Sequence, residues 1–215
     1  MKDLYIFGAG GFGREVVWLI ERINAIIPTW NIKGFLDDAE ERQNIVINGY
    51  KVLGGNDYFK QIKEECWVIC TIGASKVRKQ VIEKLNSYSN VRFATLVDPS
   101  VLLSDTVKLG EGTILCAGTI ATVNIKIGNH VIVNLDCTIG HDAVLEDYVT
   151  VYPSVNISGN TLMKECVELG TGTQIIQGKV IEKETIVGAG AVVVKELPAR
   201  CTAVGAPAKP IKFFE

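Results

Sequence analysis

Hydrophobic and polar positions follow different periods in the two parts of the chain. In residues 1–90, short apolar runs alternate with segments whose apolar residues recur at helical spacing. The alternation of strands and helices indicates a small parallel sheet of the α/β class. The apolar runs predict strands over residues 4–7, 32–36 and 67–72, and the helical patterns predict helices over residues 14–24, 58–65 and 76–85.

From Val97 onward the hydrophobic period becomes six residues. This period is too long for an α-helix, and its regularity is not typical of antiparallel hairpins. It is typical of a parallel β-helix, in which three hexads close one triangular coil and residues three hexads apart stack on one another. The inward positions are Val97, Leu103, Leu109, Leu115, Ala121, Ile127, Val133, Ile139, Leu145, Val151, Ile157, Met163, Leu169, Ile175, Ile181, Val187 and Val193.

The change of period divides the chain into three predicted segments. Residues 1–90 form an α/β domain with a small, Rossmann-like parallel sheet, and residues 91–194 form an all-β parallel β-helix. Residues 195–215 leave the hexad register and contain Pro198, Pro207 and Pro210. We therefore expect this last segment to lie against the outside of the coils.

Composition and charge exclude several other classes of protein. Of the 215 residues, 47% are hydrophobic and 21% are charged, and the net charge of −2 gives no reason to expect nucleic acid or an anionic membrane as a partner. Six scattered cysteines without a CxxC pair indicate reduced thiols that fill apolar space. The first 13 residues do not have the pattern of a signal peptide, and no apolar run approaches about 20 residues, so we expect a cytoplasmic protein.

Four short motifs and the hexads follow one another in an order that is similar to a known enzyme family. The motifs are GAGGFG at 8–13, GFLDD at 34–38, IG at 72–73 and, after the hexads, VGAPAK at 204–209. Over nearly the whole chain they resemble the left-handed β-helix acyltransferases, within the subgroup of nucleotide-sugar N-acetyltransferases and sialic acid O-acetyltransferases. The resemblance implies a left-handed coil and a homotrimer. It also implies a sugar-nucleotide site in the N-terminal domain and acetyl-CoA bound between neighbouring β-helices.

One of the two histidines is the candidate catalytic base. Acetyl transfer to an amine or hydroxyl needs a base, and neutral imidazole suits this role because the ordinary histidine pKa, about 6.5, lies near working pH. His141 precedes Asp142, whose carboxylate would orient the ring if a corner of the chain brings the two side chains together. Gly159, three hexads later, would leave room beside the ring for the thioester. The resemblance implies that His141 is the base and Asp142 its acidic partner.

Three other polar residues of the β-helix are interpreted separately from the candidate base. His130 is interpreted as a solvated corner residue. Asn134 either orients the acceptor or the base, or is an asparagine that suits a corner. Many relatives carry a second histidine, which bonds the acetyl carbonyl, at the position of Thr150. The group that stabilises the oxyanion is therefore either a threonine hydroxyl or backbone N–H groups.

For acetyl-CoA, the resemblance implies a row of mostly small residues on the β-helix. Such residues along one edge would let the pantetheine chain lie flat against the coils. The alternative is that they merely suit the corners. The predicted residues are Thr150, Gly159, Thr171, Ala189 and Pro207.

The glycine-rich motif after the first predicted strand indicates a nucleotide site. Glycines there allow the backbone to approach a phosphate, and the following helix N-terminus favours an anion. An NAD enzyme is the rival interpretation, but about 90 residues hold only half of a dinucleotide fold, so a UDP-sugar fits better. Relatives often have histidine in place of Phe12, which leaves the contact to the sugar open. The predicted residues are Gly8, Gly10, Gly11, Phe12, Asp37, Asp38 and Gly73.

These observations predict an acetyl-CoA-dependent N-acetyltransferase that acts on a UDP-4-amino-4,6-dideoxy sugar without a metal ion. Sialic acid O-acetylation is the alternative, because both reactions need the same base. A non-catalytic, trimeric sugar-nucleotide-binding protein is a third interpretation, against which the His141–Asp142 pair argues. A metal-dependent β-helix hydratase would need about three histidine ligands, and the chain has two histidines.

Overall fold

The computed structural model describes residues 1–214, which form two compact units. The N-terminal unit comprises Met1–Gly73 and Val77–Pro99, and the β-helix unit comprises Ala74–Lys76 and the described chain from Ser100 onward. The segment boundaries at residues 90 and 194 stay a prediction. Among the described residues, no helix combines the length and apolar character that a membrane span requires.

A mostly parallel sheet forms the centre of the N-terminal unit. The elements of residues 1–99 are β1 (Lys2–Phe7), α1 (Gly11–Ile26), β2 (Trp30–Leu36), β3 (Val46–Ile47), β4 (Tyr50–Gly54), β5 (Cys66–Cys70), α2 (Ser75–Leu85), β6 (Val91–Phe93) and β7 (Leu96–Val97). The strand order of the sheet is β3-β4-β2-β1-β5-β6. Strand β1 runs parallel to both β2 and β5, and β3 and β4 form an antiparallel hairpin. The predicted α/β class is therefore confirmed.

Helix α1 follows the glycine-rich motif and buries the apolar stripe that the sequence predicts. Val16 and Ile20 are fully buried. The helix begins at Gly11, earlier than predicted, so the motif itself enters the first turn. Gly13 allows this close approach, because a Cβ at that position would collide with the carbonyl oxygen of Gly8.

The segment 58–65 does not form the predicted α-helix. A short 3-10 helix covers Asn56–Gln61, and the chain then continues without regular structure to β5. Phe59 is buried, whereas Ile62 is only partly buried. One buried side chain does not supply the apolar face that holds a longer helix against a core.

From residue 100 the chain winds through three parallel sheets, as the hexads predict. The strands are β8 (Leu102–Leu103), β9 (Lys108–Leu109), β10 (Ile114–Leu115), β11 (Ile120–Ala121), β12 (Lys126–Ile127), β13 (Ile132–Val133), β14 (Thr138–Ile139), β15 (Val144–Leu145), β16 (Thr150–Val151), β17 (Asn156–Ile157), β18 (Leu162–Met163), β19 (Glu168–Leu169), β20 (Gln174–Ile175), β21 (Val180–Ile181), β22 (Ile186–Val187), β23 (Val192–Val193), β24 (Cys201–Val204) and β25 (Lys209–Phe213). The first face contains β10, β13, β16, β19, β22 and β24, the second β8, β11, β14, β17, β20 and β23, and the third β9, β12, β15, β18 and β21.

The register of these sheets confirms a coil of three hexads. Partners on one face lie 18 residues apart, as Ile139 pairs with Ile157 in β14 and β17. Every predicted inward position from Leu115 to Val193 is at most 3% exposed. Leu103 is 37% exposed, because it lies at the end of the β-helix, where no earlier coil is stacked on it.

The corners of the coil have a second period of six that the sequence analysis did not predict. Every sixth residue from Gly112 to Gly190 has a positive φ. Glycine, asparagine and aspartate favour this left-handed conformation, but Tyr148 and Glu184 also adopt it. The chain therefore turns each corner through one left-handed residue, and that turn decides how neighbouring side chains are directed.

The end of the described chain adds two strands to the first face. Strand β24 runs parallel to β22, and β25 returns antiparallel to β24. All six cysteines lie within the described residues and are buried. Burial raises the pKa values of Cys70 and Cys137 to about 11, so these thiols stay protonated at neutral pH.

Candidate active site

The predicted catalytic and acetyl-CoA residues lie mainly at two corners of the coil. The histidine corner joins the second face to the third and contains His141, Asp142 and Gly159. The threonine corner joins the first face to the second and contains Asn134 and Thr171. These two corners are the two edges of the second face, so a single coil does not bring the two groups together.

His141 and Asp142 form a hydrogen-bonded pair at the histidine corner. Asp142 has a φ of 59°, and this left-handed turn brings its Oδ2 to 2.8 Å from Nδ1 of His141. Both side chains are about half exposed, at 52% and 53%. With the proton on Nδ1, the Nε2 atom keeps its lone pair and can accept a proton from a ligand.

The carboxylate of this pair is held in its ionised form by hydrogen bonds. The bond from His141 is the main reason that the pKa of Asp142 lies below its usual range. Asn124, one coil earlier, makes a smaller contribution to the same lowering of the Asp142 pKa. An ionised carboxylate at Nδ1 would stabilise an imidazolium formed during proton transfer.

Gly159 provides space for the imidazole of His141. A Cβ on Gly159 would lie 2.5 Å from Nε2 and 2.6 Å from Cε1 of that ring. The sequence analysis expected this space to receive the thioester, but the ring itself fills it. Gly140 is equally constrained, because a Cβ there would lie 2.6 Å from the backbone nitrogen of Gly159.

The threonine corner holds other residues predicted to bind acetyl-CoA. Thr171 and Ala189 lie on successive coils and are exposed, and the N–H of Gly190 donates to the carbonyl of Thr171 at 2.8 Å. Pro207 is exposed in the loop between β24 and β25. Asn134 accepts the N–H of Leu135 through its Oδ1 at 2.7 Å, which is a local bond within the corner.

Thr150 and His130 are both buried in the single chain. Thr150 lies in β16 on the first face and is 1% exposed. Its proposed contact with the acetyl group stays a prediction. The interpretation of His130 as a solvated residue is wrong, because its side chain is 4% exposed and its ring stacks on Tyr148 with the centroids 5.4 Å apart. Gly112, one coil earlier, leaves the space that the ring occupies.

A cavity of about 310 Å³ lies in the N-terminal unit at the predicted nucleotide site. Among the residues that line it are Gly8, Gly10, Asp37 and Thr71, which follow the carboxyl ends of β1, β2 and β5. Strand order reverses between β1 and β5, and ligands of open α/β sheets bind at such a switch point. The geometry thus agrees with a nucleotide at this end of the sheet.

Asp37 holds the glycine-rich loop in place. Its Oδ2 accepts the N–H of Ala9 at 2.9 Å and lies 3.1 Å from Nη1 of Arg42, and its Oδ1 accepts the N–H of Ala39 at 3.0 Å. The sequence analysis expected Asp37 to contact a ribose or a base. In the structure its carboxylate already has three partners, so its clearest role is to shape the loop.

The other predicted nucleotide-site residues are Asp38, which lines this cavity, and three residues near the ends of β1 and β5. Asp38 lines the cavity, and its Oδ1 accepts a backbone N–H at 2.7 Å. Gly11 is exposed at the start of α1, and Phe12 is half-buried in its first turn. Gly73 follows β5, and its carbonyl accepts a hydrogen bond from the buried Arg78 at 2.9 Å.

Sequence reasoning missed two residues of these sites. Arg42 lines the cavity, and its Nη1 would lie 3.8 Å from a Cβ on Gly10. No motif marks Arg42, because the 3-10 helix that carries it was not predicted. Asn124 contributes to the lowered pKa of Asp142, and the available signal was its position three hexads before that residue.

Known proteins resemble this chain in sequence and in fold over its whole length. The family described as "PglD N-terminal domain" matches residues 3–85. The GDP-perosamine N-acetyltransferase of Escherichia coli O157:H7 is 29% identical over 98% of this chain and 97% of its own length.

Two solved structures share both units of the fold. WeeI from Acinetobacter baumannii AYE is 32% identical, with a TM-score of 0.88 over 98% of this chain and 100% of its own. The perosamine N-acetyltransferase of Caulobacter crescentus, solved as a histidine-to-asparagine variant with CoA and GDP-perosamine, is 25% identical, with a TM-score of 0.89 over 99% of this chain and 98% of its own. Together with the glycine-rich loop, the hexads and the His141–Asp142 pair, these similarities show that the chain is an acyltransferase and belongs to the left-handed β-helix acetyltransferases of the nucleotide-sugar N-acetyltransferase family.

Proposed function

We propose that this protein transfers the acetyl group of acetyl-CoA to the amino group of a nucleotide-linked sugar, with His141 as the general base. The observation that carries this proposal is the 2.8 Å hydrogen bond between Nδ1 of His141 and the ionised carboxylate of Asp142. It leaves Nε2 as the proton acceptor on a half-exposed ring. The similar perosamine N-acetyltransferase that binds CoA and GDP-perosamine supports the same pair of substrates.

The proposed reaction needs one proton to move twice. The amine nitrogen attacks the thioester carbonyl while Nε2 of His141 takes its proton, and the Asp142 carboxylate stabilises the resulting imidazolium. The tetrahedral intermediate then collapses, the carbon–sulfur bond breaks, and the imidazolium returns the proton to the sulfur, so that CoA leaves as a thiol. Each group of the histidine corner thus has a defined place in a balanced step.

The nucleotide that carries the acceptor sugar is either UDP or GDP in this proposal. The sequence analysis predicts a UDP-linked sugar, whereas the relative from Escherichia coli aligned over 98% of the chain is named for GDP-perosamine. The two nucleotides share a ribose and a diphosphate, which are the groups that the glycine-rich loop and α1 would contact. The amino sugar is therefore proposed as the substrate class, and the base is decided by the assay below.

The assay measures the thiol released from acetyl-CoA in the presence of different acceptors. These are UDP-, GDP- and dTDP-linked 4-amino sugars, free sialic acid and serine. Background from the enzyme is low, because its six cysteines are buried and the pKa values of Cys70 and Cys137 are about 11. Turnover with one nucleotide amino sugar supports the proposal. Turnover with sialic acid alone overturns it in favour of O-acetylation, and no turnover with any acceptor overturns the enzymatic assignment of the site.

We also propose that the working enzyme is a homotrimer. The second face separates the two corners, and its outward side chains Leu102 and Ile120 are 63% and 39% exposed. Burial of these two apolar side chains between neighbouring subunits would place the histidine corner of one chain beside the threonine corner of the next. Light scattering should then give three times the chain mass of 23.4 kDa. A monomeric mass for the active enzyme would contradict this arrangement.

The Asp37→Ala variant tests the nucleotide site. It removes the acceptor of the Ala9 N–H and the partner of Arg42, so the glycine-rich loop loses its anchor. We expect the KM for the nucleotide sugar to rise about 10- to 100-fold, which corresponds to roughly 1–3 kcal/mol for lost hydrogen bonds, while kcat changes little. Asp57→Ala is the matched control, because Asp57 is 77% exposed and pairs only with surface groups. Equal KM values for both variants would contradict the role of Asp37.

A further inference from the structure

The four glycines of the glycine-rich loop fall into two groups. Gly8 and Gly13 are required by the fold, because Gly8 has a φ of 109° and a Cβ on Gly13 would collide with the carbonyl oxygen of Gly8. Gly10 has a φ of −78° and a ψ of −167°, an extended conformation that any residue can adopt. Gly11 begins α1 without a positive φ. Backbone conformation therefore does not explain glycine at positions 10 and 11.

Packing does not explain these two glycines either. Beyond its chain neighbours, a Cβ on Gly10 would have a single atom within 4 Å, which is Nη1 of Arg42 at 3.8 Å. Beyond its neighbours and the backbone of α1, a Cβ on Gly11 would likewise meet only Nη2 of Arg14, at 3.7 Å. Both distances are ordinary van der Waals contacts. Gly10 and Gly11 thus leave open space at the loop, and a guanidinium group lies beside each of them.

Both guanidinium groups have hydrogen-bond donors left for a ligand. Nη1 of Arg42 lies 3.1 Å from Oδ2 of Asp37, and the Arg42 side chain is 44% exposed. Arg14 is exposed, and among the described residues its guanidinium forms no ion pair. A guanidinium carries five N–H donors, so most of those of Arg42 and all of those of Arg14 remain for a bound anion.

The surroundings of Arg42 favour an anion next to the loop. Oδ2 of Asp37 accepts the N–H of Ala9 at 2.9 Å as well as Nη1 of Arg42, so the carboxylate holds this guanidinium beside the loop. Arg42 is the only cationic side chain among the residues that line the cavity. The first turn of α1 contains no acidic residue, and no side chain caps its N-terminus. Its first backbone N–H groups therefore add to the attraction of the two arginines for an anion.

We propose that Arg14 and Arg42 bind the diphosphate of the nucleotide sugar, with the phosphates lying over Gly10 and Gly11. This inference rests on the proposed function, in which the acceptor is a nucleotide-linked sugar. Planar guanidinium groups donate paired hydrogen bonds to phosphate oxygens, and glycine lets the backbone approach them. UDP and GDP carry the same diphosphate, so these two arginines would bind either nucleotide and leave the choice of base to other residues.

Calorimetric titration of the full-length protein with UDP, UMP, GDP and GMP tests this proposal. We expect Arg14→Ala and Arg42→Ala each to weaken the binding of the nucleoside diphosphates about 10- to 100-fold, because charge-assisted hydrogen bonds are lost. The double variant should also lose most of the wild-type preference for diphosphates over monophosphates. If Arg42 only anchored the loop through Asp37, binding of both kinds of nucleotide would fall equally. Equal losses for both kinds in all variants would therefore overturn the proposal.

Arg92→Ala is the matched control for the removed positive charge. Arg92 lies in β6 of the same unit, its side chain is 49% exposed, and its Nε is 3.2 Å from Oε2 of Glu65. It is not among the residues that line the cavity. We expect this variant to bind all four nucleotides as the wild type does. A loss as large as that of Arg42→Ala would overturn the proposal, since net charge alone would then account for it.

The thiol-release assay separates failure of this inference from failure of the proposed function. Both arginine variants should raise the KM for the nucleotide sugar, with kcat and the KM for acetyl-CoA little changed. If the wild type acetylates a nucleotide amino sugar and both variants keep its KM, the proposed function stands and the roles of Arg14 and Arg42 are wrong. If the wild type binds no nucleoside diphosphate and acetylates no nucleotide sugar, the proposed function is wrong, and the diphosphate site is wrong with it.

Discussion

Replacement of His141 with alanine is expected to lower kcat about 10²- to 10⁴-fold, with a change of less than about threefold in the KM for acetyl-CoA. Without Nε2, the histidine corner loses the group that is positioned to take the proton of the amine during attack. Binding of CoA should be little affected, since the predicted CoA contacts lie mainly at the threonine corner. Steady-state kinetics over a range of pH measure both effects, and the acid limb of the wild-type profile should disappear.

The His141→Ala variant should fold normally, so the loss of activity can be assigned to chemistry. The imidazole is 52% exposed and rests on Gly159, so its removal opens no cavity in the core. The unfolding temperature should stay within a few degrees of wild type. Added imidazole should restore part of the activity by occupying the space above Gly159. Near-normal turnover of this variant would eliminate His141 as the base.

Replacement of Gly159 with alanine is expected to lower kcat about 10²-fold although no reacting group is removed. The new Cβ would lie 2.5 Å from Nε2 of His141, well inside contact distance, so the ring must move by about 1 Å. A displacement of this size in a catalytic group typically costs about 10²-fold in rate. Steady-state kinetics and thermal unfolding should be measured together, because only the first is expected to change.

The steric clash created by Gly159→Ala is with a side chain that can move, so a loss of kcat can be attributed to displacement of the His141 ring. The atoms nearest the added Cβ all belong to the imidazole, and the half-exposed ring can swing outward without disturbing the core. Ser158→Ala is the matched control, because it places alanine at the neighbouring exposed position. We expect this control to retain wild-type kinetics. Equal activity of Gly159→Ala and Ser158→Ala would contradict the position of the ring described above.

Much of the fold could be predicted because its pattern repeats. Each inward hexad residue is constrained by the same stacking, so the period is visible even where one residue, such as Ala121, is small. The β3–β4 hairpin was missed although Asn48-Gly49 between short apolar segments is its usual signal. The α-helix predicted over residues 58–65 does not form, although its apolar residues have helical spacing. Phe59 is the one side chain of the 3-10 helix at this place that reaches the core.

The linear sequence was sufficient to predict the two-part architecture, the number of hexads per coil and the choice of His141 and Asp142 as the candidate pair. These predictions depend on periodicity and on adjacent residues, which a linear pattern records directly. Four other features became visible only in the folded chain. The left-handed turn at Asp142 aims its carboxylate at Nδ1, and the ring lies on Gly159. Asp37 is engaged by the glycine-rich loop, and the predicted acetyl-CoA residues separate onto two corners. Each of these depends on backbone torsions and on contacts between coils, where side-chain direction is set by packing and not by spacing along the chain.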